Sequence, residues 1–253
     1  MIMLCLAWAG MKTSVKMAAN SFTFKRFSVI QDHAAMKVST DSVLLGAWVE
    51  PPLTGNILDI GSGTGILALM LAQRTDTVIV AVEPDKGSFA DLVRNIAESP
   101  WPDQIIARNE TLAQFCSDIT HFGSFDLIIC NPPFFENAVL SDDPVVSSVR
   151  HSISMTHGSL IHSVAKLLRD KGSFGVILPE EVSERFIFLA SQQGMYCNRW
   201  TDVHATAEKP VTRRLMIFEK QKKTLLRTTL FIKKGDAYSS EYIALLKAYY
   251  LSF

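Results

Sequence analysis

Four short apolar runs dominate the hydrophobic pattern between residues 56 and 130. They are Asn56–Ile60, Val78–Val82, 104–109 and Phe125–Cys130. Apolar runs of this length, bounded by turn residues, are typical of strands buried on both faces of a parallel sheet. Apolar residues at helical spacing follow the first run at 66–74. The pattern therefore predicts an α/β fold with a doubly wound, mostly parallel sheet.

The rest of the chain extends this pattern on both sides. Partial alternation at 22–30 predicts a strand or hairpin arm, and 37–48 predicts a helix that Ser39 or Thr40 can cap. Further on, the pattern predicts helices at 159–169 and 180–193 and strands at 173–178, 196–205 and 213–219. The last two strands lie close together in the chain and predict an antiparallel C-terminal edge, which makes the sheet seven-stranded.

Length and composition fit a single domain, which we place at residues 21–253. The chain has 253 residues, and 48% of them are hydrophobic, enough for one sizeable core. Residues 1–20 begin with an apolar stretch that lacks a basic start and is too short to cross a bilayer. We expect these residues to be a disordered or mis-started extension, and we expect no membrane role.

Charge and cysteine usage exclude several classes of protein. The 25 basic and 25 acidic residues cancel, so a nucleic-acid partner has to be bound by a local patch. The four cysteines are far apart, and neither they nor the histidines show metal-ligand spacing. We expect no disulfide framework, no metal site and a reducing, cytoplasmic location. We also expect a monomer.

A glycine-rich loop follows the first apolar run. The sequence Asp59-Ile-Gly-Ser-Gly-Thr-Gly65 lies between a predicted strand and a predicted helix, where backbone can approach a ligand closely. The spacing of Gly61, Gly63 and Gly65 differs from the G-x-G-x-x-G of dinucleotide sites, which indicates a ligand without a pyrophosphate. The methionine moiety and ribose of S-adenosylmethionine fit this requirement. An ordinary tight turn is the alternative.

An acidic residue ends the second apolar run. Glu83 lies 18 positions after Gly65. At this separation, a carboxylate at the end of the second strand of a βαβ unit accepts hydrogen bonds from both ribose hydroxyls. A surface glutamate is the alternative, and the loop that precedes Glu83 favours the binding role.

The fourth run ends in Asn131-Pro-Pro-Phe134. A residue before proline is steered out of the helical region, and neither Pro132 nor Pro133 has an N–H for a neighbouring strand. The turn therefore presents two acceptors, the Asn131 side-chain oxygen and the Pro132 carbonyl, beside the ring of Phe134. This arrangement suits a planar substrate with an exocyclic NH2, such as adenine, guanine or a carboxamide. A rigid turn with core phenylalanines is the alternative.

The positions of these motifs, each at the end of a predicted parallel strand, strengthen the interpretations above. Parallel strands share one carboxyl edge, where such folds bind ligands. We therefore expect Gly61, Glu83, Glu110 with Thr111, and Asn131 to lie at one site.

This combination resembles the class I S-adenosylmethionine-dependent methyltransferases, and residues 131–134 resemble the catalytic motif of their amino-methyltransferases. Other segments are similar to the bacterial tRNA1(Val) (adenine-37-N6)-methyltransferase family, including Phe22-Thr-Phe-Lys-Arg-Phe, Lys37-Val-Ser-Thr-Asp-Ser-Val-Leu-Leu-Gly-Ala-Trp, Leu67-Ala-Leu-Met-Leu-Ala-Gln-Arg-Thr, Ser99-Pro-Trp, Leu178-Pro-Glu and Ser240-Glu-Tyr. The similarity runs from about residue 21 to the C-terminus. It implies methylation of N6 of adenine 37 in tRNA1(Val), next to the anticodon, with S-adenosylmethionine as the methyl donor.

The resemblance also implies roles for individual residues. It implies cofactor contacts by Lys37, Thr40, Asp41, Asp59, Gly61, Gly63, Gly65, Glu83, Pro84, Glu110, Thr111 and Asn131, catalysis by Asn131, Pro132, Pro133 and Phe134, and RNA contact by Arg150. Two positions depart from the family. Phe134 stands where Tyr is usual, which should preserve stacking. Thr111 stands where Asp is usual, which leaves either Glu110 or Thr111 to contact the cofactor's adenine.

Other functions fit some of the same residues. Guanine-N2 methylation of rRNA and glutamine-N5 methylation of protein use similar chemistry. A non-catalytic RNA-binding scaffold with a vestigial cofactor pocket belongs to a different class of protein. The intact Gly61, Gly63, Glu83 and Asn131 argue against that scaffold.

A basic segment between residues 199 and 234 is the candidate RNA surface. It holds ten Lys or Arg against three acidic residues, an excess of seven positive charges. Lys209, Arg213 and Arg214 flank Pro210, which marks a predicted loop tip, so we expect these three to contact phosphates. A solvated face with no partner is the alternative.

Overall fold

A computed structural model describes residues 20–34, 36–132 and 155–253 of the chain. The strands are β1 (Ser21–Thr23), β2 (Ser28–Ile30), β3 (Asn56–Ile60), β4 (Val78–Val82), β5 (Ile105–Arg108), β6 (Phe125–Cys130), β7 (Leu168–Pro179), β8 (Tyr196–His204), β9 (Val211–Glu219), β10 (Leu226–Phe231), β11 (Lys233–Lys234) and β12 (Ala237–Tyr238). The helices are α1 (Thr40–Trp48), α2 (Ile66–Ala72), α3 (Lys86–Ala97), α4 (Leu112–Phe115), α5 (His157–Leu167), α6 (Glu180–Gln192) and α7 (Ser240–Leu246).

One large sheet organises the described residues, with the strand order β10-β8-β9-β7-β6-β3-β4-β5. Strands β7, β6, β3, β4 and β5 are parallel, whereas β9 is antiparallel to both of its neighbours, β7 and β8. The predicted α/β class and antiparallel C-terminal edge are confirmed. The predicted number of seven strands is one too low, because β10 pairs parallel with β8 and adds an eighth. Most of its side chains are exposed, so this strand lacks the apolar run of a buried one.

The apolar core lies on both faces of the sheet. Ile57 and Ile129 belong to a core cluster with residues of α1, α2 and α7, whereas Leu58 and Ile128 belong to a second cluster with residues of α5 and α6. All four side chains are fully buried. Because successive residues of a strand point to opposite faces, burial on both faces explains the unbroken apolar runs in the sequence.

Most predicted elements are found close to their expected bounds. Strands β3, β4 and β6 begin and end at the predicted residues, and β1 and β2 form a hairpin. Helix α1 begins at Thr40, with Ser39 as its N-cap. Arg74, predicted inside α2, lies beyond its end, and its guanidinium donates to the carbonyls of Gly46 and Val49, both at 2.6 Å. Within the described ranges, no helix is long and apolar enough to cross a membrane.

Candidate active site

Four strands bring their carboxyl ends into register at one edge of the sheet. Ile60 lies beside Val82 and Cys130, and Val82 lies beside Arg108. The next residue along each strand therefore falls at the same edge, which places Gly61, Glu83, Asn109 and Asn131 in neighbouring positions. Adjacent strands lie about 4.8 Å apart, so these positions span roughly 14 Å. The predicted meeting of the motifs at one edge is confirmed.

The glycine loop makes a tight turn that leaves space above Gly61 and Gly63. Both have positive φ, 66° and 56°, and a Cβ atom at either position would meet nothing within 4 Å. Gly65 differs, because a Cβ atom there would lie 2.6 Å from Leu92 Cδ1. Gly65 therefore packs closely against α3, and its φ of 83° favours glycine as well, whereas Gly61 and Gly63 leave an open cradle that a ligand can fill.

Asp59 carries a fully buried carboxyl group near the end of β3. Its side chain is fully buried, and neither carboxyl oxygen has a partner among the described residues. The hydroxyl of Ser62 donates instead to the Asp59 backbone carbonyl, at 2.9 Å. Burial raises the pKa of Asp59 to about 7, although the nearby Ser62 hydroxyl and Ala68 N–H act in the opposite direction. A buried carboxyl without a partner favours a cationic ligand group, such as the ammonium of an amino acid.

Glu83 is oriented by the backbone at the same edge. Its Oε2 accepts from the N–H of Gly63 at 2.7 Å, and its Oε1 accepts from the N–H of Asp85 at 2.8 Å. Burial raises the pKa of Glu83, and the two backbone N–H groups act in the opposite direction. Each carboxylate oxygen can accept a second hydrogen bond, so a ribose diol fits beside these contacts. Glu83 thus also holds the glycine loop, which the sequence did not reveal.

Asn131 directly follows β6, and the NH2 group of its side-chain amide is hydrogen-bonded. Its Nδ2 donates to the hydroxyl of Ser42 at 3.0 Å. Its Oδ1 is buried, with no hydrogen-bond partner among the described residues. Pro132 is buried beside it. Pro133, Phe134 and Arg150, to which the sequence analysis assigned roles, lie outside the described residues.

The segment before α1 forms the other wall of this site. A hollow is lined by Met36, Lys37, Ser42, Gly61, Ser62, Gly63, Thr64, Ile66, Leu67 and Asn131. Of the predicted cofactor residues near α1, Lys37 therefore reaches this hollow. Thr40 is exposed at the first turn of α1, and Asp41 pairs with Arg213, with 2.7 Å between Oδ2 and Nε. Ser42 was missed by the sequence analysis, because its partner lies 89 positions away in the chain.

The residues that follow β5 have different roles. Thr111 caps α4: its hydroxyl accepts from the N–H of Gln114 at 3.2 Å, while Gln114 Oε1 accepts from the N–H of Thr111 at 2.8 Å. Both the hydroxyl and the backbone N–H of Thr111 are thus engaged in this capping box. Glu110 is half-buried and takes no part in that box. Pro84, a further predicted contact, is half-buried and directly follows Glu83.

The predicted RNA-binding residues separate into different environments. Lys209 is exposed in the loop that precedes β9. Arg213 is half-buried and bound to Asp41. Arg214 is buried, and its guanidinium contacts Asp202 at 2.8 Å, Glu184 at 3.0 Å and Glu180 at 3.7 Å. The prediction that Arg214 contacts phosphate is therefore wrong, because carboxylate pairs already hold this buried side chain.

The six lysines of the basic segment lie at two edges of the sheet. Pro179 pairs with Arg213 in the antiparallel register of β7 and β9, so β9 begins at the carboxyl edge. Lys209, Lys233 and Lys234 lie at this edge, whereas Lys220, Lys222 and Lys223 follow the other end of β9. In the part of the chain that the structure describes, no group of His, Cys, Asp and Glu side chains could hold a metal ion.

Comparison with known families agrees with this geometry. Residues 33–194 match the family model described as "Methyltransferase small domain". This match covers more than half of the chain and all four strand ends that build the site.

Curated relatives match over nearly the whole length. A protein of Pseudoalteromonas translucida named tRNA1(Val) (adenine(37)-N6)-methyltransferase is 39% identical over 92% of this chain and 99% of its own. A protein of the same name from Trichodesmium erythraeum is 40% identical over 94% of this chain and 100% of its own.

Solved structures share the fold at low identity. A predicted O-methyltransferase from Agrobacterium tumefaciens superposes with a TM-score of 0.63 and 15% identity, covering 83% of this chain and 96% of that chain. TYW2 from Pyrococcus horikoshii, solved in complex with MeSAdo, has a TM-score of 0.55 and 17% identity, covering 79% and 71%. These likenesses support the fold alone.

Proposed function

The chain belongs to the family of tRNA1(Val) (adenine(37)-N6)-methyltransferases, and from that membership we propose that it methylates N6 of adenine 37 in tRNA1(Val). The observation that carries the proposal is the Asn131 amide: its Oδ1 is buried and has no partner among the described residues, beside an open glycine cradle. Such an acceptor fits a substrate that brings an N–H group.

The residues at the strand ends fit S-adenosylmethionine. Asp59 would pair with its ammonium, Gly61 and Gly63 would pass close to its methionine moiety, and Glu83 would accept from its ribose hydroxyls. Since Thr111 is occupied as a cap, Glu110 is the better candidate for the adenine contact. When bound, the cofactor supplies an electrophilic methyl group on a sulfonium.

The two acceptors after β6 act on the nitrogen that receives the methyl group. The lone pair of adenine N6 is delocalised into the ring, so this amine is a poor nucleophile while it stays planar. Asn131 Oδ1 and the Pro132 carbonyl would accept hydrogen bonds from its two N–H groups and favour a pyramidal nitrogen. Orientation of this kind can lower a barrier by about 7 to 11 kcal/mol. No strong base is needed, because the nitrogen loses its proton readily once it carries the methyl group.

The same acceptors would also fit a guanine-N2 or glutamine-N5 amine. The test is incubation with labelled S-adenosylmethionine and, in separate reactions, a transcript of tRNA1(Val), rRNA and total cell protein, followed by identification of the modified nucleoside or residue. We expect N6-methyladenosine at position 37 and no label in a matched transcript with G37. N2-methylguanosine in rRNA, label in a protein, or no label at all would each overturn the proposal.

We further propose that residues 21–253 form one domain that acts as a cytoplasmic monomer without a metal ion. Support comes from the single large sheet, which strands from both halves of the chain share. The cysteines in the described residues are free thiols, as in a reducing compartment. Lys209 is the best-placed of the predicted phosphate contacts, because it is exposed at the carboxyl edge.

A further inference from the structure

Ser42 connects α1 to the amide of Asn131. Its hydroxyl accepts from Asn131 Nδ2 at 3.0 Å and lies 3.1 Å from the hydroxyl of Ser39. Ser42 is 7% exposed, so water does not readily replace either contact. Ser39 is the N-cap of α1 and also accepts from the Ser42 N–H at 3.2 Å. The two serines therefore form a chain of hydrogen bonds from the start of α1 to Asn131.

The orientation of the Asn131 amide decides what the substrate meets. An asparagine side chain has an acceptor oxygen on one side and an NH2 donor on the other. If the amide is turned by 180°, its NH2 group replaces the acceptor oxygen and faces the substrate amine, donor against donor. When Ser42 donates its own proton to Ser39, it has only lone pairs left for Asn131. The NH2 group must then face Ser42, and Oδ1 faces away from it.

We propose that Ser42 is a positioning residue that sets the amide orientation of Asn131, and this rests on the proposed methyl transfer to an amine. Ser42 acts through Asn131 and does not itself touch the reacting atoms. Its effect should therefore appear in turnover and depend on Asn131. In contrast, a serine that only lines the cofactor hollow would change cofactor affinity.

The test is a double-mutant cycle on a tRNA1(Val) transcript with saturating S-adenosylmethionine. We expect Ser42→Ala to lower kcat about 10-fold, the size of effect produced by a modest misplacement of a catalytic group. In an Asn131→Ala background the same change should lower kcat less than about twofold, because no amide remains to be oriented. An equal loss in both backgrounds would overturn the proposal.

Two controls separate positioning from packing. Ser183 is as deeply buried, and its hydroxyl donates to the Pro179 carbonyl at 2.8 Å, so Ser183→Ala removes a comparable hydroxyl away from Asn131. We expect it to leave kcat unchanged. Ser42→Thr keeps a hydroxyl and should recover most of the rate lost in Ser42→Ala.

Calorimetric titration of each variant with S-adenosylmethionine reports folding and cofactor affinity together. The affinity of Ser42→Ala should match that of the unmutated protein. A loss of affinity that accounts for the whole loss of rate would overturn the inference. Because the unmutated protein is assayed alongside, absence of any methyl transfer would refute the proposed function, whereas normal turnover by Ser42→Ala would refute this inference alone.

Discussion

The two edges of the central sheet differ in how they hold an aspartate carboxyl group. At the carboxyl edge Asp59 is fully buried, and its oxygens have no partner among the described residues. At the other edge Asp126 accepts from the N–H of Asn56 at 2.9 Å and from Arg169 at 2.8 and 2.9 Å. The two aspartates lie on neighbouring strands of one sheet. The paired carboxylate holds strand ends together, whereas the unpaired one remains available to a ligand.

The largest effect should follow from removing the acceptor at the carboxyl edge. Asn131→Ala should lower kcat by roughly 10²-fold or more, as expected when one preorganised polar group is lost from an active site. Cofactor affinity should change little, since the main partner of this amide is Ser42. Single-turnover methylation of tRNA together with calorimetry would check both quantities. Turnover near that of the unmutated protein would rule out the proposed role of Asn131.

Cofactor affinity should depend next on Glu83. Glu83→Ala should weaken S-adenosylmethionine binding by about 1.5 to 3 kcal/mol, the usual worth of charged hydrogen bonds. Part of this loss comes from the Gly63 N–H, which loses its acceptor. Glu83→Gln retains an acceptor oxygen and should lose less. Unchanged affinity of the alanine variant in calorimetry would contradict the assignment of Glu83.

Exchanging each aspartate for asparagine tests the contrast directly. The pKa of Asp59 is raised from 3.8 to about 7, so between those values the folded state holds a proton that the unfolded state has lost. The free energy of unfolding should therefore fall as pH rises through this window, and Asp59→Asn should remove that fall. If the ionised carboxyl binds the cofactor's ammonium, affinity should drop about 25-fold between pH 7.5 and 5.5, in proportion to the ionised fraction.

Asp126→Asn is the matched control for the pH test. It weakens the pair with Arg169 and should lower stability while leaving the pH dependence of cofactor binding intact. Chemical denaturation and calorimetry over the same pH range measure both variants. A pH-independent cofactor affinity in the unmutated protein would remove Asp59 from the binding site.

The smallest effect per side chain is expected from the lysines. Reversing Lys209, Lys233 and Lys234 to Glu should weaken tRNA binding and flatten its salt dependence, by about 0.7 to 0.9 in log–log slope for each phosphate that is no longer neutralised. Reversing Lys220, Lys222 and Lys223 changes the net charge equally at the opposite edge and should leave the slope unchanged. Equal effects of the two triple variants on binding would show that the carboxyl edge is not the RNA surface.

Much of the fold could be predicted because the apolar residues of a strand show by themselves that the strand is buried. The strands that carry the site are buried on both faces, so their apolar runs mark their ends, and Gly61, Glu83 and Asn131 follow directly. The edge strand β10 has no such run and was missed. Arg214 was misassigned because its partners Asp202 and Glu184 come from another strand and a helix, which a count of charges cannot show.

The position of β9 between β7 and β8 has a consequence for synthesis on the ribosome. Strands β3 to β7 pair with one another and emerge together, but in the described sheet β8 is joined to β7 only through β9, and β10 pairs with the outer side of β8. While residues 211–219 are still inside the exit tunnel, the nascent chain therefore exposes an unpaired edge on β7. A stalled chain that ends between β8 and β9 would contain the complete glycine loop and Asn131. The edge of its β7 strand would be unpaired and therefore prone to aggregation.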